Sequence, residues 1–249
     1  MTITQIRPFI FLIAFTFLYL LQKVIPSFKV KDHTRIIHNW YVFILSILIV
    51  RAFFPGGIGA DLDKIFNMDI FLSFKSYPFW LDLLLSVIVF DLAIYWQHRL
   101  FHKVNLFWRF HKVHHSDQEM DTTTALRFHP LEVVLSAFYK VIILILINPR
   151  LESFFIYEVL LNSFALFNHS NIRIPKKLDQ FLRLFIVTPN MHYPHHSLKS
   201  KQMNMNYGNI LSIWDRLFKS YTKEENSTFG INEYDKKMSA KDVLFMPFR

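Results

Sequence analysis

FDLAIYWQHRLFH, residues 90–102, closes the apolar run Phe79 to Trp96 with two histidines set four apart. Read as helix, Asp91, Tyr95, His98 and His102 fall at i, i+4, i+7 and i+11, so each lies within about 40° of Asp91 around the axis. The result is one polar stripe on an otherwise apolar helix. That pattern predicts a spanning helix that runs straight into a ligand-bearing segment. An intramembrane carboxylate is expensive and functional by default, and ligating imidazoles commonly donate their second nitrogen to a carboxylate. Asp91 is therefore a candidate supporting or substrate-channel residue, with a buried Asp capping or bonding a neighbouring helix as the alternative.

Working outward, ten of the twelve histidines lie between His98 and His196. They are written HRLFH (98–102), HKVHH (111–115), His129, His169 and HYPHH (192–196). Each buried imidazole needs its nitrogens hydrogen-bonded, protonated or bound to metal, so clustering at ligand spacing carries information. On a helix His98 and His102 are neighbours, as are His111 and His114, with His115 flanking the same face. HYPHH repeats the spacing of HKVHH. One tetrahedral site takes about four ligands, so eight imidazoles in three boxes fit two metals better than one. His33 and His38 lack such spacing and read as ordinary interfacial polar residues.

Composition places these boxes at a membrane. The 249 residues are 52% apolar, with 28 Phe. A spanning helix needs about 20 mostly apolar residues, and five windows come close: Pro8 to Val24, Trp40 to Phe54, Phe79 to Trp96, Leu131 to Ile147 and Leu151 to Phe167. The last two are joined only by Asn148, Pro149 and Arg150 and read as a tight hairpin. The first begins beside Arg7 and has no small-residue cleavage site before Gln22 and Lys23, so a retained helix is expected rather than a signal peptide. The fold class is all-α, a bundle of four to five spanning helices with a cytosolic histidine-rich helical cap. Its divisions are 1–78, N-terminal helices and loops; 79–221, catalytic domain; and 222–249, C-terminal tail, whose VLFMPFR should dock on protein or membrane.

The formal charge of +9 follows the positive-inside rule better than it fits nucleic acid. Lys23, Lys29, Lys31 and Arg35 enrich the first loop, and Arg99, Lys103, Arg109 and Lys112 the region after the third window. The loop from Pro55 to Pro78 sets Asp61, Asp63 and Asp69 against Lys64 and Lys75. This alternation turns the histidine boxes to the cytoplasm, and the hairpin, crossing twice, returns HYPHH to the side of HKVHH. Cysteine is absent, which excludes disulfides, iron–sulfur clusters and thiolate-ligated haem from this chain.

Between the boxes, KVNLFWRF is expected to carry the turn before HKVHH. His129 precedes a proline and is expected to be extended, with ligand and supporting readings both open. His169, emerging from lipid in FNHSN, is a stronger ligand candidate. YGNILSIWDRLFKSY, 207–221, has Ile210, Leu211, Trp214, Leu217 and Phe218 at helical spacing and reads as an amphipathic helix at the interface, with Asp215 placed to hydrogen-bond a ligand. Pro194 is compatible with helix only near a start, so HYPHH should be partly non-helical.

Imidazole-rich sites suit several metals. Glu-x-x-His pairs, the mark of carboxylate-bridged di-iron bundles, do not occur here. At a membrane face the accessible substrate is a lipid, and attack on an unactivated C–H bond needs a redox metal pair and dioxygen, which zinc cannot replace. The alternative, a zinc-dependent membrane lipid hydrolase using a metal-bound water, leaves several histidines unused. A metal transporter would place its ligands along the spans rather than at one end.

HRLFH, HKVHHS, RFHPLE, NHSN, TPNMHYPHHS and NYGNILSIWDRLF occur in that order over roughly residues 80–221. In these motifs the chain resembles the fatty acid hydroxylase/sterol desaturase superfamily of integral-membrane di-metal oxygenases. The resemblance implies a helical membrane bundle whose cytosolic cap holds two iron ions. It implies His98, His102, His111, His114, His115, His169, His192, His195 and His196 as ligands, and leaves His129 open. Tyr193 and Pro194 depart from the commoner residues of the last box. It further implies dioxygen as co-substrate, hydroxylation or desaturation of a fatty acyl or sterol-like lipid, and electrons from NAD(P)H through a separate donor protein.

Overall fold

The computed structural model describes residues 3–55, 72–225, 228–231 and 238–249. The Asp61, Asp63 and Asp69 stretch read above as the non-cytoplasmic loop lies outside them. The long elements are α1 (Ile3–Val24), α2 (Thr34–Phe53), α3 (Phe79–Lys103), α4 (Asn105–His115), α5 (Pro130–Ile147) and α6 (Leu151–His169). Shorter helices follow: α7 (Lys176–Leu182), α8 (Pro189–His192), α9 (Ser200–Met203), α10 (Ile213–Leu217) and α11 (Ala240–Phe245). Among the described residues there are no strands, only isolated bridges such as Pro26 with Ile172 and Ile186 with Leu211.

Four helices, α1, α2, α3 and α5, are long and apolar enough to cross a membrane, the mark of an integral membrane protein. The fifth expected span, α6, is not one of them, because it carries Glu152 and Glu158 and packs inside the bundle between α1 and α3. Its Phe154, Tyr157 and Leu166 are buried, and Tyr157 stacks on Phe90 of α3 with ring centroids 4.9 Å apart. Lipid tails are as apolar as these side chains, so such contacts hold the bundle by van der Waals packing. Glu158 is buried but paired on both oxygens, to Arg7 of α1 at 2.9 Å and Lys140 of α5 at 2.7 Å. Those two ion pairs make its position at membrane depth tolerable.

The α5–α6 hairpin closes as expected. Pro130 opens α5, with His129 in extended conformation before it, and Asn148 ends it in the left-handed region at φ 39°, a conformation asparagine tolerates at a helix C-terminus. The hairpin thus returns the chain to the histidine side.

That side is knit together by buried polar groups. Arg35 of α2 meets Asp117 at 2.7 Å and Asp121 at 2.5 Å just past α4. Arg127 donates to the Val113 carbonyl at 3.0 Å, Ser116 Oγ at 2.9 Å and Asn39 Oδ1 at 3.0 Å. Gln22 Oε1 accepts from Thr122 N and Asn171 N, both at 3.0 Å. These bonds fix the C-terminus of α4, and with it HKVHH, against α1 and α2.

Two local expectations change. The turn after His102 is a single extended residue, Val104, and NLFWRF already belongs to α4. The C-terminal segment docks on protein: Val243 and Met246 are fully buried in a cluster with Val42 of α2 and Val113 of α4.

Candidate metal centre

Nine histidines converge at the end of the bundle in two groups, His98, His102, His111, His115 and His195, and His114, His169, His192 and His196. Within each group one nitrogen per ring lies within 4.8 Å of all the others. These are the nine residues expected as ligands, and the structure brings all of them together.

The grouping does not follow the boxes. On α4, His111 and His115, one turn apart, enter the first group while His114, between them in sequence, enters the second. In HYPHH the pattern inverts: His192 and His196 belong to the second group and His195 to the first. Each HxxHH box thus gives its outer pair to one group and lends its i+3 residue to the other. On a helix i and i+4 differ by about 40°, whereas i+3 and i+4 differ by about 100°, so adjacent histidines must diverge. The sequence pairing of His111 with His114 is corrected accordingly. The two groups abut, with the His115 and His196 rings stacked 4.4 Å apart.

Local structure aims the rings. Pro194 does split its box, since α8 ends at His192 and Tyr193–His196 continue as a 3-10 turn. Thr188 Oγ1 caps α8 by accepting from Met191 N at 3.2 Å. His98 Nδ1 donates to the Tyr207 carbonyl at 2.8 Å, His195 Nδ1 to the Met205 carbonyl at 2.8 Å, and His169 Nδ1 to the Ala165 carbonyl at 2.6 Å. A carbonyl only accepts, so these neutral rings carry their lone pair on Nε2.

The Nε2 atoms of His98 and His195 are nevertheless only 2.8 Å apart. His169 Nε2 lies 3.0 Å from His114 Nε2 and 3.2 Å from those of both His192 and His196. Opposed lone pairs, as on His98 and His195, repel at such a distance unless a cation lies between them. Nitrogens bound at ~2.0–2.1 Å to one ion are separated by ~2.8–3.4 Å for angles of 90–109°, so the spacing fits shared metal ligation. Burial depresses the pKa of His111 to about 3 and holds His114, His115, His192, His195 and His196 well below the usual range. Neutral imidazole is the form that binds metal.

Residues 83–220, more than half of the chain, match the family model for fatty acid hydroxylase. The chain belongs to the fatty acid hydroxylase family. Human alkylglycerol monooxygenase is 29% identical over 153 residues, which cover 61% of this chain and 33% of that protein. Ornithine lipid hydroxylase of Rhizobium tropici is 30% identical over 147 residues, 59% of this chain and 43% of its own length. Mouse lathosterol oxidase is 30% identical over 172 residues, 66% of this chain and 54% of its own length. The chain therefore spans about a third of the length of the alkylglycerol monooxygenases it matches. No solved structure matches it.

Within this fatty acid hydroxylase chain the remaining candidates stand behind the histidines or apart from them. Asp91 touches none of the nine. It accepts from Ile210 N at 3.1 Å, Leu211 N at 3.0 Å and Trp214 Nε1 at 2.8 Å. Asp215 also contacts no ligand directly: it accepts from Tyr207 N at 2.8 Å and Gly208 N at 2.9 Å. It therefore holds the turn whose Tyr207 carbonyl orients His98, and burial pushes its pKa up to about 6. His129 lies outside both groups, with Nδ1 accepting from Leu131 N and Nε2 donating to the Leu244 carbonyl, both at 3.2 Å.

Sequence reasoning passed over Glu132, whose buried Oε1 accepts from His111 Nδ1 at 2.6 Å. Because His111 stays neutral, this is a hydrogen bond rather than an ion pair. An acid in the first turn of an apolar helix, where lipid gives it no partner, was the available signal. Phe128, stacked on His114 at 4.1 Å, and Trp108, 5.1 Å from His102, were likewise unread. They wall the centre with aromatic rings.

The helix expected over 207–221 is reduced to Ile213–Leu217. The residues before it are drawn out of helix by their bonds to Asp91 and Asp215. Gly208 is required there, since a Cβ would meet Asp215 Oδ2 at 2.9 Å and the Leu211 carbonyl at 3.1 Å.

Proposed function

We propose that this chain is a membrane lipid oxygenase whose two histidine groups each hold one iron ion. The observation that carries the reading is the convergence of nine imidazoles, seven of them buried and His98 and His102 half-buried, into two adjoining sets whose nitrogens fit shared ligation. The names of the relatives supply the reaction class: a monooxygenase, a hydroxylase and an oxidase, each named for a lipid. We extend that class to this chain as hydroxylation or desaturation of a fatty acyl or sterol-like C–H bond.

When bound, the two ions supply the redox chemistry by which dioxygen and two electrons oxidise a C–H bond. For hydroxylation one oxygen atom enters the substrate and the other leaves as water with two protons. The chain's own residues do the rest. The carbonyls of Tyr207, Met205 and Ala165 fix three rings with Nε2 inward, and Glu132 fixes a fourth. Phe128 and Trp108 exclude water beside His114 and His102, which protects a reactive centre. In this reading electrons come from NAD(P)H through a separate protein, as the family resemblance implies.

The histidine end faces the cytoplasm in this proposal, supported by Lys23, Lys29 and Lys31 on the first loop and Lys103 and Arg109 beside α4 on the same side. Arg35 no longer counts toward that charge, being buried among Asp117 and Asp121. The test is oxygen uptake by the purified chain with iron, membrane lipids and a reduced donor. Lipid-dependent uptake is expected; bound zinc with no oxygen use and hydrolysis of a lipid ester would overturn the reading, as would turnover with NADPH alone.

A further inference from the structure

We infer that residues 176–185 and 210–218 form a second membrane-contact element, a non-spanning lobe whose outer face lies among the acyl chains and anionic headgroups of the leaflet on the histidine side. Its level is fixed by α3. Asp91 binds Ile210 N, Leu211 N and Trp214 Nε1, and lies seven residues, about 10 Å at 1.5 Å per residue, below His98 toward the bilayer. Farther up the same helix, Arg99 donates to the Phe218 carbonyl at 3.2 Å, and the Phe218 ring meets Trp96 at 4.8 Å. The segment 210–218 therefore lies alongside a spanning helix, rising from the level of Asp91 to that of Arg99. The 176–185 arm is tied to it at its C-terminal end, through Ser212 N to the Phe185 carbonyl at 3.1 Å and Val187 N to the Ile210 carbonyl at 2.9 Å.

The two arms leave a continuous apolar face. Leu178 is 49% exposed, Phe181 59%, Leu184 57%, Phe185 59%, Ile213 53% and Leu217 61%. Trp96 and Leu100 of α3, 43% and 44% exposed, carry this face onto the bilayer surface of the bundle. The lobe's arginines turn inward: Arg183 pairs with Asp179, and Arg216 donates to the Arg183 and Ser212 carbonyls. Exposed Arg173, Lys176, Lys177 and Lys219 flank the face, where cations suit anionic headgroups. An apolar face with a basic rim, set at the depth of a spanning helix, fits a lipid leaflet rather than a soluble partner. The inner side of the same lobe carries Asp215, which holds the Tyr207 turn that orients His98. Lipid contact is thereby placed one residue chain away from the first histidine group.

Because the chain contains no cysteine, single labels report single positions. Phe181→Cys and Leu217→Cys, one on each arm, are labelled with an environment-sensitive fluorophore in the full chain. The protein is reconstituted in phosphatidylcholine–phosphatidylglycerol vesicles. Leu48→Cys on α2 serves as the lipid reference and Lys201→Cys as the aqueous one. Quenching by acyl-chain brominated lipid comparable to Leu48→Cys, with several-fold less iodide quenching than at Lys201→Cys, is expected at both arms. Iodide access equal to Lys201→Cys would overturn the inference. Protection from both quenchers that is lost on dilution into excess lipid would assign the face to a second copy and overturn it too.

Discussion

Replacing Glu132 with glutamine or leucine separates two contributions to one histidine. Glu132 is 3% exposed and its Oε1 lies 2.6 Å from His111 Nδ1. Glutamine keeps an acceptor at that point but not the acid's capacity to become negative beside a metal; leucine removes both. Partners behind a ligand typically change metal affinity by about 10–100-fold, or about 1.4–2.7 kcal/mol. Glu132→Gln should therefore weaken iron(II) binding by about tenfold and Glu132→Leu by about a hundredfold. The loss should fall on the group containing His111, since Glu132 bonds no histidine of the other. Chelator competition in a His114→Ala background, where only the five-histidine group is complete, reads that group alone. Undiminished affinity in Glu132→Leu, or an equal loss measured in a His111→Ala background, would refute the reasoning.

Other outcomes follow from burial and contact. Gly208→Ala forces a methyl against Asp215 Oδ2 and the Leu211 carbonyl, and should cost about 1–3 kcal/mol, read as a lowered melting temperature in detergent. Arg35→Met leaves Asp117 and Asp121 buried without their cation and should destabilise by about 3–5 kcal/mol, measured by urea unfolding. In the metal-free chain, burial lowers the folded pKa of His111 to about 3 from 6.5, so the unfolded state binds more protons between these values. Stability is full above pH 6.5 and falls as the medium is acidified, by about 2 kcal/mol at pH 5 from His111 alone; a melting temperature unchanged from pH 7 to pH 5 would contradict this.

Much of this was legible because helical spacing and membrane length leave their mark on a single strand of sequence. The apolar windows located the four spanning helices, and the box spacing picked out eight of the nine converging histidines, with His169 of FNHSN as the ninth. What escaped depended on residues distant in sequence. The exchange of His114 and His195 between groups needs α4 and the 192–196 turn face to face. Asp91 looked like a site residue because its polar stripe on α3 is shared with His98, yet its partners lie about 120 residues later, and two of the three are backbone amides, which no side-chain pattern reveals. The 207–212 segment has helical periodicity, but the two buried carboxylates of Asp91 and Asp215 compete for its amides and win. For α6, hydropathy alone suggested a span, and only the packing shows how Glu158 is neutralised inside the bundle.

The central claim is that two metals share the nine histidines across the boxes, and metal content per chain tests it most directly. Wild type loaded with iron should hold two ions. The double variants His111→Ala with His115→Ala and His192→Ala with His196→Ala should each hold one. A single ion in wild type, abolished by either double variant, would contradict the account.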